Sequence, residues 1–328
     1  MRVLSDEAVA DLLEFDSLLP AVAEALRAQG RGDVERPERP HFPIGEGSTP
    51  PEGGDPNAGP CGTGLVMPAY IHGSSYYATK IVGVIDDNPE RGLPTVNGAI
   101  AVTDARTGVP LAYLAGTRVT NARTGCIGGL AARELTAAEP IELGLIGAGQ
   151  QARWQVRAID AAAELGSVRV YSPSGSREEC AADLRSEGID CEAVDSPADA
   201  VRDASVVVTA TTATESVFDG DDLAAGTLVI AVGAYTAETR ELDDRTVERA
   251  GGLFADVPEE AAETGDFPNH GAGALTPLSA VLNGTAGRKS DDDILVVASV
   301  GTAILDAAAA ELLYEAAVEG DVGVETAF

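Results

Sequence analysis

The sequence predicts an α/β fold, a Rossmann-type doubly wound parallel sheet beside an α+β domain, and three observations carry that expectation. An apolar run, a glycine turn and a segment of helical spacing follow one another over residues 141–159, IELGLIGAGQQARWQVRAI, and read as strand, tight turn and helix. The turn Gly147-Ala148-Gly149-Gln150-Gln151-Ala152 fits G-x-G-x-x-G/A. There Gly147 allows the turn, Gly149 lets backbone approach a pyrophosphate at the helix N-terminus, and Ala152 lets the helix pack close to its strand. Glycine turns end many strands, so context decides. Short apolar runs at 168–171, 205–210, 227–232 and 294–298, with a helical stretch at 178–186, supply the alternation that a parallel sheet requires.

The remaining elements follow in order. Residues 5–13 and 16–29 read as helices with Ser5 and Asp16 as N-caps, and Leu18, Val22, Ala25 and Leu26 share a face suited to covering a sheet. Residues 36–60 are dense in Pro and Gly and are expected to form one long loop. Strands are predicted at 64–67, 75–84, 99–104 and 111–115, with turn signals at Asp87-Asn88-Pro89 and Thr107-Gly108, so this half reads as an antiparallel α+β unit. A helix over 118–135 leads into the glycine turn, and an Ala- and Leu-rich helix over 302–319 is able to return to the first domain. The expected division is 1–124, completed by 302–328, against 125–301 for the nucleotide-binding domain.

Composition narrows the class. The chain has 328 residues, 45% of them hydrophobic, enough for two domains with a substantial core. No apolar run reaches the roughly 18 residues of a membrane span, and acids near the start of MRVLSDEAVADLL do not suit a secretion signal; a soluble, cytoplasmic protein is expected. With 53 acidic against 22 basic residues the net charge is −31. Such a chain repels itself at low salt, whereas near 1 M salt the screening length falls to roughly 3 Å. A halophilic host is inferred, since the acids are spread along the chain rather than gathered into a block for a basic partner. Nucleic acid is excluded as a partner on the same ground. Cys61, Cys126, Cys180 and Cys191 lack C-x-x-C spacing and do not cluster with His41, His72 or His270, so no metal site is expected; the cysteines read as small buried hydrophobes and the histidines as surface or hydrogen-bonded residues.

Cations are scarce enough that their positions carry information. There are two lysines, Lys80 and Lys289. Lys80 lies in Tyr76-Tyr77-Ala78-Thr79-Lys80-Ile81-Val82, where partial desolvation suits an acid, a base or a carboxylate anchor; the alternative is a lysine snorkelling from an edge strand. Arg123 sits among small residues that leave room for a ligand, or it serves an interdomain salt bridge. Arg39 lies on the Pro-rich segment. In a dinucleotide fold, the residue ending the second strand separates NAD from NADP. Here the strand runs into Ser172-Pro173-Ser174-Gly175-Ser176-Arg177 with no acid before Glu178. Three hydroxyls and a guanidinium suit a phosphate, so NADP(H) is favoured over NAD(H); the alternative is that Ser176 caps the next helix and Arg177 is solvated.

Several runs together resemble the ornithine cyclodeaminase/mu-crystallin family. These are Lys80-Ile81-Val82, Asn88-Pro89-x-Arg91-Gly92-Leu93-Pro94-Thr95, Gly116-Thr117 with Thr120 to Thr124, and Ile146 to Ala152, followed by Ala231-Val232-Gly233, Arg240 to Asp244 and Ser299-Val300-Gly301-Thr302. The resemblance covers nearly the whole chain. It implies that the first domain and the last helix bind substrate and form a homodimer, and that Arg39, Lys80 and Arg123 hold the α-carboxylate of a small amino or imino acid. By the same resemblance Thr95, Arg123, Gly147, Ala148, Gly149, Gln150 and the Ser172, Ser174, Ser176 and Arg177 turn hold the cofactor, with Thr209, Thr211, Val232, Ser299 and Gly301 nearer its ribose and nicotinamide. Cyclodeaminases of the family carry an aspartate after the Ala-Val-Gly turn, where this chain has Tyr235. A phenol of pKa near 10 is a poor base at neutral pH. The expectation is therefore reversible hydride transfer at a C–N bond, as in ketimine or imino-acid reduction or an alanine dehydrogenase, with Lys80 as proton donor or water activator and Tyr235 as a hydrogen-bonding partner. The alternatives are ornithine cyclodeamination to proline and ammonia, and a non-enzymatic NADPH-dependent binding role like that of mu-crystallin.

Overall fold

The computed structural model describes residues 1–44, 61–85 and 87–327. In chain order its elements are β1 Arg2–Leu4, α1 Asp6–Leu12, α2 Phe15–Arg31, β2 Val34–Glu35, β3 His41–Ile44, β4 Gly62–Ile71, β5 Tyr76–Val84, β6 Val96–Asp104, β7 Pro110–Ala115 and α3 Gly116–Leu135. Then come β8 Ile141–Ile146, α4 Gln150–Ala162, β9 Leu165–Tyr171, α5 Ser176–Ser186, β10 Cys191–Ala193, α6 Pro197–Val201, β11 Val206–Thr209, β12 Leu228–Ala231 and α7 Asp244–Arg249. The chain closes with β13 Ala250–Ala255, α8 Pro258–Ala261, β14 Thr276–Pro277, α9 Leu278–Leu282, β15 Ile294–Ala298, α10 Ala303–Glu319 and β16 Val324–Glu325. Two compact units result. One comprises Met1–Glu14, Gly32–Thr120 and Ala303–Phe328; the other comprises Phe15–Arg31 and Asn121–Thr302.

The first unit is a sheet in the order β16-β1-β7-β6-β5-β4-β2, with β3 also paired to β4. Its pairings are antiparallel except β1 with β7, which is parallel and was not anticipated. β5 shows why the sheet forms: Ala78, Lys80 and Val82 point inward while Tyr77 and Ile81 point out, the period-2 alternation of a half-covered strand. α10 packs across the inner faces of β4, β5 and β6, and it is buried along nearly its whole length, from Ala303 to Ala310 and again at Leu313 and Ala317. The Pro- and Gly-rich stretch is not one continuous loop as expected: His41–Ile44 pairs in register with Leu65 to Gly62 of β4. Its Pro43 stands at the sheet edge, where a missing N–H costs no ladder bond. The part of that stretch from 45 to 60 lies outside the described residues.

The second unit is an eight-stranded sheet, β10-β9-β8-β11-β12-β15-β13-β14, in which the pairings are parallel. Strand order reverses at β8, so the crevice of a doubly wound sheet falls beyond the C-terminal ends of β8 and β11. β11, β12 and β15 are buried at every position, the continuous apolar run of a sheet covered on both faces. One face carries a core that includes Ile146, Val207, Val229, Val296, Phe218, Leu242 and Phe267. α3 lies close against α4: a Cβ on Gly125 or Gly129 would fall 2.6 and 2.5 Å from the carbonyls of Trp154 and Ala158. Two N-terminal expectations change. Ser5 caps α1, accepting from the Ala8 N–H, but α2 begins at Phe15, so Asp16 is inside its first turn rather than the cap. Nor does α2 cover a sheet: it packs on α9 and α4, with Phe15 edge-on to Trp154 at 6.0 Å.

Candidate active site

The glycine turn is built as the sequence requires. Gly147 has φ +107°, and a Cβ there would lie 2.4 Å from the Ala210 carbonyl, so no other residue fits. Gly149 is the N-cap of α4 with no side-chain cap, and a Cβ on it would meet nothing within 4 Å. An uncapped 13-residue helix N-terminus facing open space, with Ala148 and Gln150 flanking it, fits a pyrophosphate. Arg153, which the sequence reading passed over, is buried and holds this turn: its guanidinium donates to the carbonyls of Ala148 and Gly149 and pairs with Asp183 at 2.7 Å. An arginine on the apolar side of a helix that otherwise buries Ala152, Val156 and Ile159 was the available signal.

At the end of β9 the three serines form one cluster, Ser174 Oγ to Ser176 Oγ at 2.8 Å and Ser172 Oγ to Ser176 Oγ at 3.1 Å. Ser176 does not cap α5, whose N-cap is Gly175 without a side-chain bond. Arg177 is not simply solvated; it pairs with Glu178 and Asp195, each at 3.0 Å, and the bond to Glu178 raises its pKa further.

Two buried carboxylates organise the other strand ends. Glu241 accepts from Thr209 Oγ1 at 2.8 Å, from the N–H and hydroxyl of Thr211 at 2.7 and 2.8 Å, and from the Gly233 N–H at 2.7 Å. The hydroxyls of Thr209 and Thr211 thus point into the protein frame, and Val232 N–H is bonded to the Thr209 carbonyl at 3.0 Å. Burial and the nearby Asp266 push Glu241 up to about 7, against those hydrogen bonds. Asp256 accepts from Ser299 Oγ at 2.8 Å and from the N–H groups of Val300 and Gly301 at 3.1 and 2.9 Å; its own pKa is raised by burial and drawn back by those bonds and by Arg123. Arg123 is buried, donates to Thr124 Oγ1 at 2.7 Å, and lies over Gly301. Tyr235 is 47% exposed, with its backbone N–H on Thr239 Oγ1. Glycine turn, serine cluster, Thr209, Thr211, Val232, Ser299, Gly301 and Arg123 therefore gather at or beyond the C-terminal ends of the parallel strands.

The first unit has a buried cation of its own. Lys80 is on β5, between β4 and β6, so it is no edge-strand lysine. Lys80 and Asp306 of α10 are each 2% exposed and their Nζ and Oδ2 atoms are 2.7 Å apart; Nζ is 3.3 Å from Thr120 Oγ1. Asp306 escaped notice because it is a single acid inside ILDAAAA; a charged residue in such a run was itself the clue. Arg39 adjoins Pro40, whose carbonyl accepts from Val66 N–H, and Val66 lies across from Ile81, the neighbour of Lys80. Thr95 lies at the far end of β5, where its carbonyl accepts from Ile85 N–H. Cys61 is exposed, contrary to expectation, whereas Cys126, Cys180 and Cys191 are buried, and burial pushes Cys191 up to about 12.

A parallel sheet of this order, with a glycine turn opening a helix at its reversal point, defines a dinucleotide-binding protein. The profile of the ornithine cyclodeaminase/mu-crystallin family matches residues 1–321, and the chain belongs to that family. It is 34% identical over 291 residues to the Δ1-pyrroline-2-carboxylate reductase of Bacillus cereus, covering 85% of this chain and 89% of that one. The structure of Thermococcus litoralis Δ1-pyrroline-2-carboxylate reductase in complex with NADH and L-proline superposes with a TM-score of 0.91 at 30% identity, over 99% of this chain and all of that one. An archaeal alanine dehydrogenase dimer with bound NAD superposes with a TM-score of 0.88 at 28% identity, over 100% and 99% of the two chains.

Proposed function

We propose that the protein reduces a small cyclic α-imino acid, of the Δ1-pyrroline-2-carboxylate type, or interconverts a small α-amino acid and its imino acid. It is an NAD(P)-dependent oxidoreductase acting at a C–N bond. The observation that carries the substrate class is the ammonium of Lys80 held at 2.7 Å from Asp306 inside the sheet–helix layer of the first unit, in a family whose relatives include pyrroline-2-carboxylate reductases.

The nicotinamide, when bound, supplies or accepts the hydride. The turn at Gly147, Ala148, Gly149 and Gln150 receives the pyrophosphate on the α4 N-terminus, and Arg153 keeps that turn in shape. Thr95, Val232, Ser299 and Gly301 line the cofactor through backbone and small side chains, while Thr209 and Thr211 act through the loop conformation that Glu241 imposes. Arg39, Lys80 and Arg123 hold the substrate carboxylate. Lys80 Nζ passes a proton to the imine nitrogen as C2 gains the hydride, so that C=N becomes CH–NH; in the reverse direction it takes that proton back. Orientation of this kind supplies several kcal/mol of the barrier. Tyr235 serves as a hydrogen-bonding group, since a phenol cannot do the work of the carboxylate that cyclodeaminases place there.

Finer assignments rest on this chain's own features. NADP(H) is preferred over NAD(H): the Ser172, Ser174 and Ser176 hydroxyls and Arg177 suit a 2′-phosphate, although the solved relatives hold NADH and NAD. The first unit pairs with a second copy through its outer sheet face, where Phe42 and Ile81 are 48% and 55% exposed beside a hollow of about 520 Å³. A net charge of −31 suits the cytoplasm of a salt-accumulating cell.

The test is cofactor consumption at the nicotinamide band, in molar salt, with Δ1-pyrroline-2-carboxylate, Δ1-piperideine-2-carboxylate, and pyruvate with ammonium. Turnover of one of these is expected. Proline and ammonia formed from ornithine with no net change in that band would overturn the proposal in favour of a cyclodeaminase.

A further inference from the structure

We propose that Asp306 is a positioning residue for Lys80: from the first turn of α10 it fixes the place of the ammonium and keeps it charged for its encounter with substrate. The inference rests on the assignment of Lys80 to the substrate site.

Three features of Lys80 act against a charged side chain at that place. It is 2% exposed, so water does not solvate the ammonium. Its strand neighbours across the ladder, Met67 and Ile100, are buried and apolar. Its polar partners Thr120 and Asp306 sit in the opening stretches of α3 and α10, and helix N-termini carry partial positive charge. Each feature favours the neutral amine. Asp306 reverses the balance. The same α10 N-terminus that repels an ammonium stabilises a carboxylate, so Asp306 stays ionised while buried, and its Oδ2 lies 2.7 Å from Nζ. Asp306 is a carboxylate that pairs with Lys80, while Glu311, Tyr314, Glu315 and Asp104 bear on Tyr76 at the other end of β5.

The arrangement also fixes direction. An ammonium on a flexible four-carbon stem is a poor positional device by itself. Carried on a central strand, hydrogen-bonded to Thr120 and ion-paired with a side chain on the helix packed across that strand, it is held in place. A reacting nitrogen then meets a proton donor already in place rather than one that must be recruited.

Two lysines in the chain make a direct test practical, because exposed Lys289 is an internal reference for Lys80. With isotope-labelled lysine, side-chain NMR titration of the cofactor-free protein should show Lys80 in Asp306→Asn losing its proton more than one pH unit below wild type, with Lys289 unmoved. In steady-state assays D306N should lower kcat at least tenfold and move the basic limb of the kcat/KM profile down by the same interval, with the dissociation constant for NADPH unchanged. Asp306→Glu, which keeps the charge but displaces it by a methylene, should lose kcat while retaining the wild-type basic limb, and it carries the test if D306N is recovered unfolded. Wild-type titration and kcat in D306N, or in D306N's absence wild-type kcat in D306E, would overturn the inference. Lys80→Met separates the two levels: an active K80M removes the assignment of Lys80 itself, whereas an inactive K80M beside a wild-type-like D306N removes the role of Asp306 alone.

Discussion

Gly301 lies directly beneath the guanidinium of Arg123: at φ +75° a Cβ on Gly301 would stand 2.7 Å from Nη1 and 3.2 Å from Nη2. Gly301→Ala therefore meets two obstacles. A non-glycine residue in the left-handed region costs about 1–2 kcal/mol, and the added methyl displaces a buried guanidinium. The expected outcome is a variant less stable by about 1–2 kcal/mol in urea unfolding, with KM for the imino acid raised several-fold and kcat changed less. An unchanged KM would show that Arg123 does not read the substrate carboxylate.

Glu241 makes the stability of the second unit depend on pH in a stated direction. Its folded pKa is raised from 4.5 to about 7 by burial and by Asp266, so the folded state binds the proton more tightly than the unfolded chain. The contribution is fully present below the unfolded value and is lost as pH rises through about 7. Glu241→Gln imitates the protonated side chain at every pH. Unfolding curves for both proteins at fixed molar salt should draw apart between pH 5 and 8 in favour of the variant, by at most roughly 3 kcal/mol. Parallel curves over that interval would mean that Glu241 is ionised throughout, held so by its four donors.

The centre of the second unit's sheet was legible because β11, β12 and β15 are short apolar runs buried at every position and the first turn requires glycine, whereas β10, β13 and β14, with less continuous apolar runs, were not anticipated. Strand β5 was legible for the opposite reason, the alternation of a half-covered sheet. What escaped reading shares one cause. Asp306, Asp256, Glu241 and Arg153 are charged residues whose partners lie far along the chain, at Lys80, Ser299 to Gly301, Thr209 to Gly233, and Asp183. No local period marks such a pairing, and a charged residue in a predicted helix or loop reads as solvated until the fold brings its partner to it. β3 was lost to the prolines around it, since Pro43 counts against a strand except at an edge, and an edge is a property of the sheet rather than of the segment. α2 was misplaced because an apolar face states that a helix is covered but not by what.

Arg153 offers a test of how much the glycine turn depends on its support. Its guanidinium bonds the carbonyls of Ala148 and Gly149, the residues proposed to receive the pyrophosphate on their backbone, and is anchored on Asp183. Arg153→Met keeps the apolar stem and removes those bonds, each worth about 1.5–3 kcal/mol when charged. Binding titrations should show NADPH and NADH weakened together by about tenfold with the fold intact. Full affinity for both would assign Arg153 to stability alone.

On the proposed coenzyme preference, Arg177 is the residue to test, because it directly follows the serine cluster and is already engaged. Its pairs with Glu178 and Asp195 are made to exposed carboxylates, 58% and 94% open on the side chain, so each is worth little, and less still in added salt. A 2′-phosphate offers more charge and a bidentate acceptor, and it should take the guanidinium from both. Removing Arg177 should then raise the dissociation constant for NADPH by roughly tenfold or more and leave NADH nearly unchanged. Asp195→Ala works the other way: it withdraws a competing acid and a like charge near the phosphate, so NADPH should bind more tightly while NADH is again unaffected. The two variants moving the NADPH-to-NADH ratio in opposite directions at constant molar salt is the signature of a phosphate site. Equal changes for both coenzymes in Arg177→Ala would leave the serines as a helix-lead-in cluster and return the preference to NAD.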